Sequence, residues 1–146
     1  MTGATGDVGR EVVRGLLAAG RAGRVAVPRP LEARTLFGDG PRCARLVFGD
    51  ETTYGGAFGG AQALFLVRPP HIADVKAILP ALRAAQTAGV RRVVFFSLQG
   101  AGRNPVVPHR RAENHLEAHG PAWTFLRPGF FMPASRPWVT AGSPAS

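Results

Sequence analysis

An α/β fold built on a doubly wound parallel sheet is what this 146-residue sequence predicts, and three observations carry the prediction. A glycine-rich turn, Thr2-Gly3-Ala4-Thr5-Gly6-Asp7-Val8-Gly9, opens the chain and runs straight into an amphipathic segment. Short apolar runs then alternate with segments of helical spacing, as βαβ units require. One of those runs, residues 63–67 (ALFLV), is apolar throughout, the mark of a strand covered on both faces.

In the opening turn, Gly3 allows a tight bend, Gly6 lets the backbone approach a pyrophosphate with no Cβ in the way, and Gly9 permits close packing of the following helix on a sheet. The anion would sit on unpaired N–H groups at the positive end of that helix. Val8, Val12 and Leu16 recur every four residues with Val13 and Leu17 beside them, and Gly20 stops the pattern. Turns of this kind follow a buried strand of about five residues. Only Met1 and Thr2 precede Gly3, so either the first strand is cut short or the true start lies upstream.

Residues 24–27 (RVAV) read as the next strand, stopped by Pro28-Arg29-Pro30, and residues 31–37 as a short helix. Residues 45–48 (RLVF) are expected as a strand ending at Gly49-Asp50, residues 53–58 as one or two helical turns, and 63–67 as the strand already noted. Ile72, Val75, Leu79 and Leu82 follow a helical spacing that Gly89 ends, predicting a crossover helix over 71–88 that Pro80 kinks or divides. Residues 93–97 (VVFFS) form the clearest strand, 109–119 a helix and 123–126 a last strand, ended by Arg127-Pro128-Gly129. Ligand is expected at the carboxyl ends of the strands.

Composition excludes several classes. With 45% hydrophobic and 18% charged residues the chain has enough apolar material for one core. No apolar run reaches the length of a membrane span and the N-terminus lacks a signal-peptide pattern, so the expectation is a cytoplasmic protein without a membrane partner. Cys43 is the single cysteine and the four histidines are scattered, so neither an intrachain disulfide nor a metal site is expected. The net charge of +9 raises a nucleic-acid partner. The arginines are dispersed, however, and the Phe-Phe pairs sit inside strand patterns, which favours a solvated basic surface and no nucleic acid.

Five ordered blocks carry a family resemblance: TGATGxxG at the start, Phe48-Gly49-Asp50, the run from Phe65 to Pro70, the run from Ala88 to Ser97, and the run from Trp123 to Met132. Together they resemble the NmrA-like, atypical branch of the short-chain dehydrogenase/reductase superfamily, over roughly residues 2–132. The resemblance implies a Rossmann-like NAD(P)-binding domain over 1–132, hydride transfer from NADPH to a quinone-like or carbonyl small molecule in some members, and redox sensing without catalysis in others. A homodimer is left open. Residues 133–146, rich in Pro, Ser, Ala and Gly, are expected as a tail without a core of its own, standing where relatives carry a helical substrate lobe.

Site roles follow from the same resemblance. Gly3, Thr5, Gly6, Asp7, Val8 and Gly9 match the pyrophosphate turn. No acid lies between Arg21 and Leu31 to take a ribose 2′-hydroxyl, whereas Arg29 suits a 2′-phosphate, so NADP(H) is expected in preference to NAD(H). Arg29 is otherwise a surface arginine, and Asp50 is either an adenine acceptor or a helix N-cap. Val67, Arg68 and Pro69 match the strand end where cofactor riboses pass. Counted back from Glu113, the position of the family's lysine is His109 and that of its tyrosine is Pro105; the sole tyrosine, Tyr54, lies far away. His109, with Ser97 and Gln99, is then the candidate acid or ribose anchor near the nicotinamide, the other reading of His109 being a helix-end residue in water.

Overall fold

The computed structural model describes residues 1–21, 23–69, 72, 75–101, 107–119 and 121–129. In chain order these form α1 (Asp7–Ala18), β1 (Arg24–Val27), α2 (Pro30–Phe37), β2 (Arg42–Arg45), α3 (Tyr54–Phe58), β3 (Ala63–Val67), α4 (Leu79–Thr87), β4 (Arg92–Phe96), α5 (Pro108–His119) and β5 (Ala122–Leu126). Single 3₁₀ turns, Glu51–Thr53 and Val75–Ala77, precede α3 and α4.

All strand pairs are parallel. β1 pairs with β2, Arg24 opposite Arg42, and β3, β4 and β5 form a second ladder with Ala63 opposite Arg92 and Arg92 opposite Ala122. Two residues join the ladders. Ala26 N–H donates to Met1 C=O (2.8 Å) and Thr2 N–H to Phe65 C=O (2.9 Å). The hydroxyl of Thr2, 1% exposed, accepts from Val67 N–H (2.9 Å) and donates to Val67 C=O (3.0 Å). The spatial order is thus β2-β1-(Met1-Thr2)-β3-β4-β5, and the chain turns from one side to the other at Met1-Thr2, the switch point where open α/β sheets bind ligands. Met1 and Thr2 thus stand in the place of the first strand.

Towards the amino ends of β1 and β3 the seam opens into two cavities. One, about 580 Å³, is lined by Met1, Arg24, Ala57, Phe58, Ala63 and Leu64; the other, about 280 Å³, by Val12, Leu16, Leu17, Phe65 and Val94 on the α1 side. The α-amino group of Met1 donates to Arg24 C=O in this gap, and burial, helped by the Arg24 charge, lowers its pKa to about 6.

Two elements differ from the sequence expectation. The strand expected at 45–48 is β2 at Arg42–Arg45. Pairing with β1 begins where Arg42 N–H meets Gly23 C=O and ends where Leu46 N–H meets Val27 C=O, after which the buried Leu46 and the half-buried Phe48 pack into the core. Their apolar character serves packing and not pairing. The long helix expected over 71–88 is the 3₁₀ turn Val75–Ala77 followed by α4, with Pro80 in the first turn of α4, where its missing N–H costs no helical bond. Residues 71, 73 and 74 of that expectation, Pro70, Phe130, Phe131 and Met132 of the family blocks, Pro105 at the position of the family's tyrosine, and the whole tail 133–146 lie outside the described residues.

Candidate functional site

The glycine turn lies at the carboxyl end of β3. Gly3 has φ +66°, and a Cβ on it would come within 2.7 Å of Val67 Cβ; a Cβ on Gly9 would lie 2.0 Å from Gly3 C=O. Both contacts demand glycine, and they press the start of α1 onto the sheet. Gly6 is different: its nearest neighbour to a built Cβ is Gly3 C=O at 3.5 Å, and the residue is exposed. Gly6 is also the N-cap of α1 and offers no side chain to the first-turn N–H groups, with exposed Asp7 and half-buried Val8 as the first helical residues. The result is a cradle of uncapped donors at a helix N-terminus, the arrangement that binds a phosphate oxyanion. Arg10, which sequence reasoning passed over, reinforces it. Its Nη2 donates to Thr5 C=O (3.0 Å), while its buried Nε–H has no partner among the described residues.

At the carboxyl end of β1, Arg29 is exposed and its Nε lies 2.9 Å from Glu32 Oε1. An ion pair between two such exposed groups is worth little, so the guanidinium is free to take a better anion. Asp50 performs the capping role open to it. Its Oδ1 accepts from Thr52 N–H (3.2 Å) and Oδ2 from Arg45 (3.2 Å), and the hydroxyl of Thr52, followed by these two donors, holds its pKa below the usual carboxylate range. Tyr54 is buried, its phenol accepting Gly49 N–H (3.0 Å), so the sole tyrosine is a core residue here.

The ends of β3, β4 and β5 meet α5 at a second polar corner, built around Glu113, whose side chain is 0% exposed. Ser97 Oγ donates to Glu113 Oε1 (2.7 Å), Arg127 donates to both carboxylate oxygens (2.9 and 3.0 Å), and Arg110 adds a bond to Oε2 (3.2 Å). Burial alone would raise the Glu113 pKa, but the hydrogen bonds from Arg127, Ser97 and Arg110 outweigh it and hold the carboxyl below its ordinary value. One carboxylate thereby ties α5 to the ends of β4 and β5. The sequence signal for it was weak, since an acid one turn after His109 on a charged helix reads as solvated.

His109, in the first turn of α5, is 6% exposed and stacks on Phe95 with ring centroids 5.9 Å apart. The reading of it as a helix-end residue in water is therefore wrong. Its Nε2 accepts from Arg68 Nε–H (3.3 Å), and its buried Nδ1 has no partner among the described residues. Burial first, then the Arg68 charge, lower its pKa to about 4 against the opposing pull of Glu113, so the ring is neutral at physiological pH. Arg68 is itself held, its Nη1 bonding to the carbonyls of Pro69 and Ile72. Gln99 is exposed on the loop after β4, its N–H on Pro128 C=O (3.1 Å).

The structure therefore gathers Gly3, Thr5, Gly6, Asp7, Val8, Gly9 and Val67 at one place, and Arg68, Ser97 and His109 at the neighbouring strand ends. Arg29 and Asp50 stand apart at the ends of β1 and β2. Among the described residues, no group of three or more His, Cys, Asp or Glu side chains is placed to hold a metal ion.

Comparison with known proteins gives this arrangement its context. A family model described as NAD(P)H-binding matches residues 3–139. The NAD(P)H azoreductase of Xenophilus azovorans is 36% identical over 138 residues, covering 90% of this chain and 48% of that protein. A (4-alkanoyl-5-oxo-2,5-dihydrofuran-3-yl)methyl phosphate reductase of Streptomyces griseus is 35% identical over 145 residues, covering 95% of this chain and 50% of its own length. The structure of an NADPH-dependent quinone oxidoreductase from Escherichia coli, solved with NADPH, superposes with a TM-score of 0.81 at 28% identity over 89% of this chain and 48% of that one. The chain thus spans about half the length of the relatives it matches. With the cradle, the parallel sheet and the match across residues 3–139 in agreement, the chain belongs to the NAD(P)H-binding, NmrA-like branch of the short-chain dehydrogenase/reductase superfamily, with a Rossmann-like fold.

Proposed function

We propose that this chain is the cofactor-binding part of an oxidoreductase that uses NADPH to reduce a small quinone-like or carbonyl substrate. The observation that carries the reading is the glycine cradle at the switch point, where the Gly3–Val67 and Gly9–Gly3 contacts leave no room for a Cβ and α1 begins without a capping side chain. The diphosphate falls to Gly3, Thr5, Gly6, Asp7, Val8 and Gly9, with Arg10 beside them as a cation. Arg29 takes the 2′-phosphate, Asp50 the adenine amino group, and Val67, Arg68 and Pro69 line the path of the riboses. Ser97, Gln99 and His109 stand at the nicotinamide end.

The cofactor supplies the hydride chemistry when bound. The residues of this chain hold, orient and exclude water. His109, neutral at pH 7, offers Nδ1–H to an oxygen acceptor, and Ser97, whose proton is committed to Glu113, can act only as an acceptor there. This last observation supports a second reading, in which the chain binds NADP(H) as a sensor without turnover: among the described residues at this corner, none has a proton to release near pH 7. We further propose a cytoplasmic protein with a small-molecule substrate. No helix among the described residues is long and apolar enough to cross a membrane.

Fluorescence titration tests the reading directly. NADPH is expected to bind more tightly than NADH, and Arg29→Ala to erase most of the difference. Consumption of NADPH with a small quinone separates the two functions, since turnover at the uncatalysed rate beside tight binding selects the sensor. No binding of either cofactor would overturn both.

A further inference from the structure

We propose that Arg68 is a positioning residue that fixes the tautomer of His109, so that the imidazole presents Nδ1–H as a permanent hydrogen-bond donor at the ends of β3 and β4. The inference rests on the reading of this corner as the reactive end of the cofactor site, and deepens it. Arg68 Nε always carries a hydrogen, so the ring nitrogen it meets at 3.3 Å must be the acceptor. In the neutral ring the proton then has to sit on Nδ1, the tautomer less common for a free histidine in water. That nitrogen is buried and has no partner among the described residues, a state that buried donors rarely keep unless an acceptor arrives.

The surroundings resist every alternative state of the ring. The other neutral tautomer would put Nε2–H against the N–H of Arg68, and a ring flip would put a C–H there. Protonation would put a second cation beside a guanidinium that cannot retreat, because Arg68 is anchored on the carbonyls of Pro69 and Ile72. Phe95 from β4 stacks on the ring, and the acid acting on it among the described residues is Glu113, from the next turn of α5. Glu113 has Arg127, Arg110 and Ser97 already on its two oxygens, and has little left to offer an imidazolium. The ligand class this predicts is an oxygen acceptor, a ribose hydroxyl of the cofactor or a carbonyl of the substrate, bound with an affinity that does not depend on His109 ionisation.

Long-range ¹H–¹⁵N correlation spectra of the imidazoles in the 146-residue protein, recorded from pH 4 to 8 and assigned with His109→Gln, are the test. His109 is expected to show the Nδ1–H pattern and no titration between pH 5 and 8. Arg68→Met should move the ring toward the Nε2–H pattern and raise its midpoint by on the order of one pH unit, the removal of a nearby like charge. Arg68→Lys, which keeps the charge, should return most of the midpoint shift, and it carries the test if the Met variant does not fold. NADPH added alone should shift the Nδ1–H signal if the acceptor is a ribose hydroxyl; a shift only after a quinone is added assigns the acceptor to the substrate. If the acceptor is a ribose hydroxyl, the ratio of the NADPH dissociation constants of Arg68→Met and the parent, in which the titration of the cofactor's own 2′-phosphate cancels, should change as pH falls from 6 to 4. An Nε2–H pattern in the parent, or an unchanged tautomer and midpoint in Arg68→Met, would overturn the proposal. These ligand-free spectra stand whether or not NADPH binds, so failure of the cofactor reading is seen separately.

Discussion

On one side of Met1 and Thr2, β3, β4 and β5 rest on a core in which Phe95, Leu66, Ile78, Leu82 and Leu116 are 1% exposed or less; on the other, β1 and β2 rest on Ala4, Val13, Val25, Val27 and Ala33. The large half also carries the buried Glu113 cluster and His109. The small half carries Arg29 and, just past its edge strand, Asp50. Between them run the backbone bonds of Met1 and Thr2, the bonds from Arg24 to the carbonyls of Ala57 and Gly59, and the packing of Ala26 and Leu46 on the large core, with cavities at the amino end of the seam. The difference teaches how the fold is held: deep burial and a charged cluster anchor the large half, while the small half keeps its place through the Met1-Thr2 seam, the Arg24 bonds and the packing of Ala26 and Leu46.

The largest expected loss comes from breaking the large half at its charged centre. Glu113→Ala should cost about 3 kcal/mol, the lower end for removing one partner of a buried ion pair, because Arg127 and Arg110 still reach solvent. Urea denaturation measures it, and a cost below about 1 kcal/mol would mean that apolar packing alone anchors α5.

Acid should act nearly as strongly. The folded pKa of His109 is lowered to about 4 from an ordinary 6.5, so the unfolded chain binds the extra proton between those values; stability is fully present above pH 6.5 and is lost as pH falls toward 4. The shift corresponds to about 3 kcal/mol. The Met1 amine, lowered to about 6 from 8.0, acts with the same sign over pH 8 to 6, and the lowered Glu113 carboxyl extends the loss below 4.5. Denaturation midpoints should therefore fall steadily from pH 8 downward. A maximum near pH 5 would contradict the burial of His109.

The seam is tested next. Thr2→Val keeps the shape but strips both hydrogen bonds from Val67, at an expected cost of about 2 kcal/mol. Hydrogen exchange should quicken more in β1 than in β4 if the seam alone holds the small half in place. Exchange that quickens equally in both would show the two halves unfolding as one unit. The smallest effect is a gain. Five apolar residues placed ahead of Met1 in a strand pattern should fill the gap between Arg24 and Ala63 and raise the thermal midpoint by several degrees, at about 2–8 °C per kcal/mol. An unchanged midpoint would mean that the edges of β1 and β3 are satisfied without a strand between them.

By itself the sequence determined the alternation of strands and helices, because periodicity and glycine or proline stops are local properties of the chain: Arg24–Val27, Ala63–Val67 and the helix ended by Gly20 all lie where spacing puts them. It determined the glycine turn too, since Gly3 and Gly9 are required by contacts a few residues apart or at the adjoining strand end. The tertiary structure alone decided the rest. Whether Leu46 and Phe48 pair or pack depends on the register of β2 against β1, which no local pattern encodes. That Glu113 is a buried keystone and His109 a buried neutral ring depends on Arg127, Ser97 and Arg68, which arrive from three other segments. A charge on a helix looks the same in sequence whether it faces water or three hydrogen-bond donors, and burial, which sets its pKa and its role, exists only once the strands have brought those donors together.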